Sequence, residues 1–297
     1  MKALLLYNTK SGKGRIGKHM AKIREIFAEA DIEITPREID FSLSPFEGAE
    51  DAELVVVCGG DGTVNFVVNA MMSAGLDPIL GVIPAGTAND FAGAIGMKRD
   101  ILAAAHQIAT GAVKRVDCGK VNDKYFVNIL SFGLFTTTSQ HTSDTAKHRI
   151  GKLAYLSAGV VDFINLHEIP ITVRYDDKEL KVDAAMFLAF NGRSAGQFKL
   201  APTSNIEDGL LDILILDYKR RMRTCWNMVS YLISHESNAV HHLQCKKLEL
   251  YCEIDEETDI DGQPGPRMPL SIECLAGALK MHFTSVTVSI VSSPAGQ

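Results

Sequence analysis

The first part of the chain alternates between short apolar runs and longer segments with helical spacing. Ala3 to Tyr7, Leu54 to Cys58 and Ile79 to Ile83 are apolar runs of strand length, typical of strands that are covered on both faces. The segments from about His19 to Ala30 and from Ile101 to Thr110 have the spacing expected of helices. Strands that alternate with helices predict an open, doubly wound, Rossmann-like α/β sheet.

From about Val121 the pattern changes to many strand-like runs, which predicts a mainly β second domain. The predicted strands are Tyr125 to Leu130, Ile171 to Tyr175, Ala184 to Phe190, Leu210 to Leu216, Leu248 to Ile254, Leu270 to Cys274 and Val286 to Ile290. Two helices are expected, from Lys152 to Leu166 and from about Met222 to His235. We therefore divide the chain into an α/β domain of residues 1–121 and a mainly β domain of residues 122–297, with the final strand free to return and pack on the first domain.

The third predicted strand ends in Gly59-Gly60-Asp61-Gly62-Thr63, where one carboxylate stands among three glycines. Glycines allow a turn with φ > 0 and let backbone N–H groups approach a ligand closely. The segment from Val64 to Met72 has helical character, so a helix N-terminus would also face whatever binds the turn and would favour an anion. This stretch predicts a phosphate site at the carboxyl edge of the sheet.

A second glycine-rich loop permits a different interpretation. Gly12, Gly14 and Gly17 follow the first strand in the spacing of a dinucleotide-binding fingerprint, and Glu38 or Asp40 lies about twenty residues further on. The loop by itself is therefore compatible with a nicotinamide-dependent oxidoreductase.

Composition narrows the class of protein. The chain has 297 residues, 46% of them hydrophobic, and a net charge of −6, which argues against a general nucleic-acid binder because phosphate-backbone affinity needs concentrated Lys and Arg. Its six cysteines are scattered without a C-x-x-C pair, which favours reduced thiols and a cytoplasmic protein. No run approaches the roughly eighteen apolar residues of a membrane-spanning helix.

The most basic stretch, Lys219 to Trp226, places the only tryptophan beside four cations. Such a mixture can dock on anionic lipid headgroups. It can equally be the solvated start of a helix with Trp226 packed inside the second domain. The sequence leaves both interpretations open.

Several motifs together resemble one family. Gly59 to Thr63, followed by Pro84-Ala85-Gly86-Thr87-Ala88-Asn89-Asp90-Phe91-Ala92, is similar to the diacylglycerol kinase catalytic domain, in particular to the bacterial soluble lipid kinases. Asn8-Thr9-Lys10-Ser11-Gly12 is similar to the family's first loop, although Thr9 stands where a proline is usual. The resemblance covers nearly the whole chain.

The resemblance implies a first domain of the NAD kinase and phosphofructokinase type, with an ATP site in the cleft between the two domains. It implies that the nucleotide is bound by residues of three loops and the helix that follows the second of them. These residues are Asn8, Thr9, Lys10, Ser11, Gly12, Gly60, Asp61, Gly62, Thr63, Asn65 and Thr87.

The resemblance also implies a base and a metal site. Asp261-Gly262-Gln263 is similar to the family's Asp-Gly-Glu motif, in which the aspartate accepts the proton of the lipid hydroxyl, and Gln263 replaces the glutamate. In the matching segment Ala201 to Asp212, Asp208 corresponds to a ligand of a structural magnesium ion, with backbone oxygens near Asn205 and Leu210 completing the shell. Asp90 and Asp117 are expected to link this metal site to the nucleotide.

The sequence thus predicts an ATP- and magnesium-dependent kinase that converts diacylglycerol to phosphatidic acid. Another lipid acceptor, such as ceramide, a sphingoid base or phosphatidylglycerol, stays open, as do an NAD-dependent oxidoreductase and a non-catalytic nucleotide or lipid sensor. The expected partner is a lipid met at the membrane surface, with peripheral membrane contact and no nucleic acid. A homodimer is one option for the oligomeric state.

Overall fold

The computed structural model describes residues 1–11, 16–133, 166–194, 200–234 and 237–282. Its first domain contains four parallel strands in the order β4-β3-β1-β2. Every residue of the central strand β3 is buried, as expected of a parallel strand with helices on both faces. The strands are β1 (Lys2–Tyr7), β2 (Glu33–Glu38), β3 (Leu54–Gly59) and β4 (Ile79–Pro84).

The helices of the first domain cover both faces of this sheet. They are α1 (Ile16–Glu29), α2 (Asp61–Ser73), α3 (Asp90–Ala94) and α4 (Ile101–Thr110). The step from β1 to β2 moves toward one edge of the sheet, and the step from β3 to β4 moves toward the other edge. Because both crossovers are right-handed, α1 and α2 lie on opposite faces of the sheet. The strand order reverses between β1 and β3, which is where open α/β sheets bind ligands.

The second domain is mainly antiparallel. It is preceded by β5 (Val113–Val121), which ends at the predicted domain boundary, and its own strands are β6 (Lys124–Phe126), β7 (Ile129–Gly133), β8 (Ile169–Tyr175), β9 (Lys178–Phe190), β10 (Leu211–Asp217), β11 (Val240–Cys245), β12 (Lys247–Cys252), β13 (Thr258–Ile260), β14 (Gln263–Pro264) and β15 (Leu270–His282). One helix, α5 (Arg221–Ser234), packs on β10. In the part of the chain that the structure describes, no helix has both the length and the apolar character needed to span a bilayer.

Strand β15 joins the two domains into one continuous sheet. Its last residues pair in parallel with β4, where Lys280 lies opposite Ile79, and most of its length pairs antiparallel with β5. The register with β5 shifts between Leu275 and Leu279, around Gly277, whose φ is 57°. The two domains therefore share backbone hydrogen bonds and not only side-chain contacts.

Several predicted boundaries differ from the structure. Strand β15 continues to His282, beyond the predicted end at Cys274, and β5, β11 and the β13-β14 pair were not predicted. Strand β5 has Lys114 and Arg115 directly after its first residue, and β11 contains two histidines, so neither shows the apolar run that marks a buried strand. The predicted strand from Val286 to Ile290 lies outside the described residues, as does nearly all of the predicted helix from Lys152 to Leu166.

The core of the second domain is centred on aromatic residues of β7 and β9. Phe132 and Phe187 lie opposite each other in the β7-β9 register, are fully buried, and stack with ring centroids 5.0 Å apart. Truncating such a side chain removes its buried area and leaves a cavity.

We expect Phe187→Ala to lower the free energy of unfolding by about 3–5 kcal/mol, because the Phe132 ring loses its stacking partner and the surrounding strands cannot collapse into the space. Urea unfolding followed by far-ultraviolet circular dichroism measures this loss. The matched control is Phe41→Ala, whose side chain is 51% exposed and should lose about 1 kcal/mol or less. Equal losses in the two variants would contradict the assignment of Phe187 to the core.

Candidate active site

Three loops meet at the carboxyl edge of the first sheet, where β1, β3 and β4 end side by side. The N–H of Asn8 donates to the carbonyl of Cys58 at 3.2 Å, and the N–H of Ala85 donates to the carbonyl of Gly59 at 2.8 Å. The side-chain amide of Asn8 also lies 3.4 Å from the hydroxyl of Thr63. The structure thus brings together the loops after β1, β3 and β4, the three loops in which the family resemblance places the nucleotide residues.

The glycines of these loops are needed for space. The expectation of positive φ after β3 is wrong, since Gly60, the N-cap of α2, has φ −98°. A Cβ on Gly60 would lie 3.1 Å from the Cα of Gly86, and a Cβ on Gly86 would lie 2.5 Å from the Cα of Gly60. Two backbone segments can approach this closely only if neither carries a side chain.

The loop after β4 positions the start of α3. Asn89 adopts a left-handed conformation with φ 55°, and its side-chain amide both accepts from the N–H of Gly86 and donates to its carbonyl, each at 2.9 Å. This closed ring orients the N–H of Phe91 toward Asp61, whose Oδ1 accepts it at 3.2 Å. Thr87 lies exposed at the tip of the loop.

Asp61 lies among other carboxylates. Burial, followed by the negative charge of Asp90, raises the pKa of Asp61 to about 6, and Asp261 adds to this effect, while the hydrogen bond from Phe91 opposes it. Asp90 in turn accepts a hydrogen bond from the hydroxyl of Ser194 in the second domain at 2.9 Å. The edge of the sheet therefore carries concentrated negative charge, which suits a cation or a cation-bound phosphate.

Asp261 is buried at the junction of the two domains and accepts four hydrogen bonds. Its Oδ2 accepts from the N–H of Val127 at 2.7 Å and from the side-chain amide of Asn65 at 2.8 Å. Its Oδ1 accepts from the N–H groups of Asn128 and Ile129 at 3.0 and 2.8 Å. Burial raises the pKa of Asp261 to about 6 even though all four donors favour its charged form.

Asn69 and Tyr125 complete the surroundings of Asn65, and sequence reasoning missed both. The side chain of Asn69 accepts from the N–H of Tyr125 at 2.9 Å, and its Nδ2 donates to the Oδ1 of Asn65 at 3.1 Å. This fixes the Asn65 amide with its nitrogen toward Asp261. The signal was available, because Asn65 and Asn69 are four residues apart in the mostly apolar middle of the helix and must share one face.

The predicted metal residues lie on a turn beside Asp117. The two carboxylate oxygens of Asp117 accept from the N–H groups of Gly209 and Gly277, each at 2.7 Å. Asp208 is exposed as a residue, but the partial desolvation of its carboxyl, followed by the charges of Asp212 and Asp117, raises its pKa, while the hydrogen bond from Leu210 opposes the rise. The segment offers only oxygen ligands in a negative field, a set that fits magnesium.

Metal ligation here would rest on one carboxylate and backbone oxygens. Asn205 and Asp208 accept from the N–H groups of Glu207 and Leu210 at 3.2 and 3.0 Å and so shape the turn. Among the described residues, no three His, Cys, Asp or Glu side chains are grouped closely enough to hold a metal by themselves.

The remaining predicted nucleotide residues lie in the loop after β1. The hydroxyl of Thr9 donates to Glu38, Lys10 is exposed, and the N–H of Ser11 donates to the carbonyl of Asn8 at 3.1 Å. Gly12 lies outside the described residues.

Comparison with known proteins gives a consistent result. Residues 2–121 match the model of the diacylglycerol kinase catalytic domain, and residues 128–283 match that of the YegS C-terminal NAD kinase beta sandwich-like domain. A diacylglycerol kinase of Bacillus subtilis (strain 168) is 32% identical over 90% of this chain and 91% of its own length. The crystal structure of a diacylglycerol kinase from Bacillus anthracis str. Sterne superposes with a TM-score of 0.79 at 27% identity, covering 95% of this chain and 97% of the other.

These matches and the two-domain fold define the class of protein as a lipid kinase. The chain belongs to the diacylglycerol kinase catalytic-domain family. This membership argues against the oxidoreductase interpretation of Gly12, Gly14 and Gly17, and confirms the family predicted from the motifs.

We expect Asp61→Asn to stabilise the protein above pH 6 by about 1–3 kcal/mol, because the pKa of Asp61 rises from 3.8 to about 6 on folding. The folded protein holds this proton more tightly, so the wild type loses stability as the pH rises from about 4 to 6. The asparagine still accepts from Phe91 but carries no charge. Urea unfolding at pH 4 and pH 8 should show the gain only at pH 8.

Asp40→Asn is the control for this pH dependence. Hydrogen bonds from Ser42 hold the pKa of Asp40 below its usual value, so its replacement should give no gain at either pH. A gain of equal size for Asp61→Asn at pH 4 and pH 8 would contradict the buried-charge explanation.

Proposed function

We propose that this lipid kinase transfers the γ-phosphoryl group of ATP, in a magnesium-dependent reaction, to a lipid hydroxyl at the junction of its two domains. The observation that carries this proposal is the grouping of Asp61, Asp90 and Asp261 beside the paired backbones of Gly60 and Gly86. Phosphoryl transfer depends mainly on positioning and on neutralising charge, and this edge of the sheet has groups for both.

The nucleotide phosphates bind against the loops after β1, β3 and β4 in this proposal. The N-terminus of α2 begins at Asp61 directly after Gly60, and the first-turn N–H groups of a helix favour an anion. Asn8, Ser11, Thr63 and Thr87 add polar side chains around this turn. Lys10 is exposed at the mouth of the site and supplies a cation for the phosphates.

Asp261 acts as the general base. The lipid oxygen forms a bond to the γ-phosphorus, the bond from that phosphorus to the bridging oxygen of ADP breaks, and the hydroxyl proton passes to Asp261. A pKa near 6 suits a base that works close to neutral pH. All four acceptor positions of Asp261 are filled, and Asn65 is the one donor of the four that is a side chain, so the lipid hydroxyl takes the place of Asn65 at Oδ2.

Magnesium binds at the turn that contains Asp208, with backbone oxygens near Asn205 and Leu210. When bound, the ion would supply positive charge that offsets the charge of Asp208 and the fields of Asp117 and Asp212. Asp117 accepts from the N–H of Gly209 in this turn, and Asp90, at the start of α3 beside the nucleotide loops, accepts from the hydroxyl of Ser194. A link between the metal site and the nucleotide would run through these two carboxylates.

The acceptor is diacylglycerol and the product phosphatidic acid. Two relatives of this chain are named diacylglycerol kinase, and their names support diacylglycerol as the acceptor. The acyl chains keep such an acceptor in a bilayer, so the enzyme meets its substrate at a membrane surface from the cytoplasmic side.

We expect wild-type protein with ATP and magnesium to transfer labelled γ-phosphate to diacylglycerol in mixed micelles, and Asp261→Asn to reduce transfer by about 10²- to 10⁴-fold. The asparagine keeps one acceptor oxygen for two of the four donors but cannot take the proton. ATP affinity, which should stay nearly unchanged if the junction keeps its fold, is measured beside transfer to separate loss of the base from loss of the fold. A panel with ceramide, a sphingoid base and phosphatidylglycerol tests the acceptor.

The control is Asp255→Asn, which removes an exposed carboxylate that pairs with Arg267. This variant should retain full transfer. Retained turnover in the Asp261→Asn variant would exclude Asp261 as the general base. ATP binding without product from any lipid would favour a sensor and overturn the proposed reaction.

Asp208→Ala should raise the magnesium concentration needed for half-maximal rate by about tenfold or more, because the ion loses its carboxylate ligand. The rate should recover when magnesium is added in excess. Glu207→Ala removes the neighbouring exposed carboxylate, which pairs with Lys114, and should leave the magnesium requirement unchanged. An identical magnesium dependence in wild type and Asp208→Ala would exclude this site.

A further inference from the structure

Helix α5 is apolar on two opposite faces. Thr224, Met228 and Tyr231 are buried, and they attach one face of the helix to the second domain. These residues follow the i, i+4, i+7 spacing of a single helix face. A helix of a globular domain needs only one such face.

The second apolar face points to solvent. Met222, Trp226 and Val229 have the same i, i+4, i+7 spacing and are 75%, 73% and 46% exposed. Of the two interpretations left open by the sequence, the one that packs Trp226 inside the second domain is therefore wrong. At about 100° per residue, this stripe lies on the side of the helix opposite the buried face.

Cations border this exposed stripe. Arg221 and Arg223 lie about 100° to either side of Met222 around the helix axis, and Lys219 and Arg220 precede them. All four are exposed. The segment from Tyr218 to Ser234 contains no acidic residue, although the whole chain has a net charge of −6.

The arginines of this border are available for an outside partner. Lys219 pairs with Asp217, but none of the ion pairs among the described residues involves Arg220, Arg221 or Arg223. An apolar stripe with a tryptophan and flanking arginines matches the two layers of a membrane interface, acyl chains below and anionic headgroups above.

The helix runs back toward the candidate active site. Strand β10 starts beside Phe190, close to Ser194 and its partner Asp90, and ends at Asp217 on the far side of the domain. Helix α5 returns from there, and the hydroxyl of Tyr231 donates to the carbonyl of Leu200 at 2.9 Å. A bilayer against α5 would therefore lie along the face of the second domain that leads to the junction.

We propose that the exposed face of α5, formed by Met222, Trp226 and Val229 and bordered by Arg220, Arg221 and Arg223, docks the enzyme on an anionic bilayer surface. This inference rests on the proposed function, since a lipid acceptor must be reached in a membrane. The charge pattern selects anionic over zwitterionic lipid, and the stripe inserts its apolar side chains at the level of the headgroups.

Trp226 is the only tryptophan of the chain, so its fluorescence reports on this face alone. Vesicles of phosphatidylcholine with one-third phosphatidylglycerol should move its emission to shorter wavelength, and brominated acyl chains should quench it. Pure phosphatidylcholine should give a much weaker response. An emission shift that depends on protein concentration without vesicles would show a second copy on the stripe and overturn the proposal, as would no response to anionic vesicles.

Matched double variants test the cations. The double variant Arg221→Gln with Arg223→Gln should weaken vesicle partition about 25-fold, because each lost cation is expected to weaken it about fivefold. Lys98→Gln with Arg99→Gln removes the same charge from another exposed site and should change partition less than about twofold. Equal losses in both double variants would mean that net charge, not α5, sets binding.

Trp226→Ala tests the apolar stripe. This variant should weaken vesicle partition about tenfold, as measured by sedimentation with vesicles.

Turnover of monomeric dioctanoylglycerol separates the two proposals. Arg221→Gln with Arg223→Gln should keep wild-type turnover of this dispersed substrate and lose turnover only on vesicles. Wild-type turnover of the dispersed lipid without any vesicle response would overturn docking and leave the kinase proposal standing. Vesicle binding by α5 without phosphorylation of any lipid would support docking and overturn the proposed reaction.

Discussion

The hydrogen-bonded carboxylate of Asp261 joins the two halves of this protein. Its four donors are the Asn65 amide on a helix of the first domain and three consecutive backbone N–H groups between β6 and the start of β7 in the second domain. A buried carboxylate must be matched by donors, because an uncompensated one is strongly destabilising. The junction of the two domains is therefore specified in the same place where we propose that the reaction occurs.

The same requirement explains the electrostatics of the site. Burial raises the pKa values of Asp61 and Asp261 to about 6, and the charge of Asp90 contributes at Asp61. A fold selected for stability alone would avoid grouping acids in this way. Buried carboxylates lower the stability of the free protein but can bind a cation or a proton. Such groups are typical of functional sites.

The inner and outer faces of α5 obey different constraints. Thr224, Met228 and Tyr231 are buried because they complete a core on one side of the second domain. Met222 and Trp226 are exposed although they are as apolar as their buried neighbours. Exposing a contiguous apolar stripe to water is unfavourable, and such a stripe is typical of a binding surface. Docking on a bilayer, as we propose, would remove these side chains from water.

The sequence by itself determined the alternating α/β first domain, the strand-to-loop transitions at Asn8, Gly59 and Pro84, and the family, because periodicity and short motifs are local. Only the tertiary structure decided that Asn65 meets Asp261 across 196 positions, that β15 joins the two domains through β4, and that Trp226 faces solvent. These depend on which surfaces are buried against each other, and a pattern along one helix or strand shows that it has an apolar face without showing what covers it.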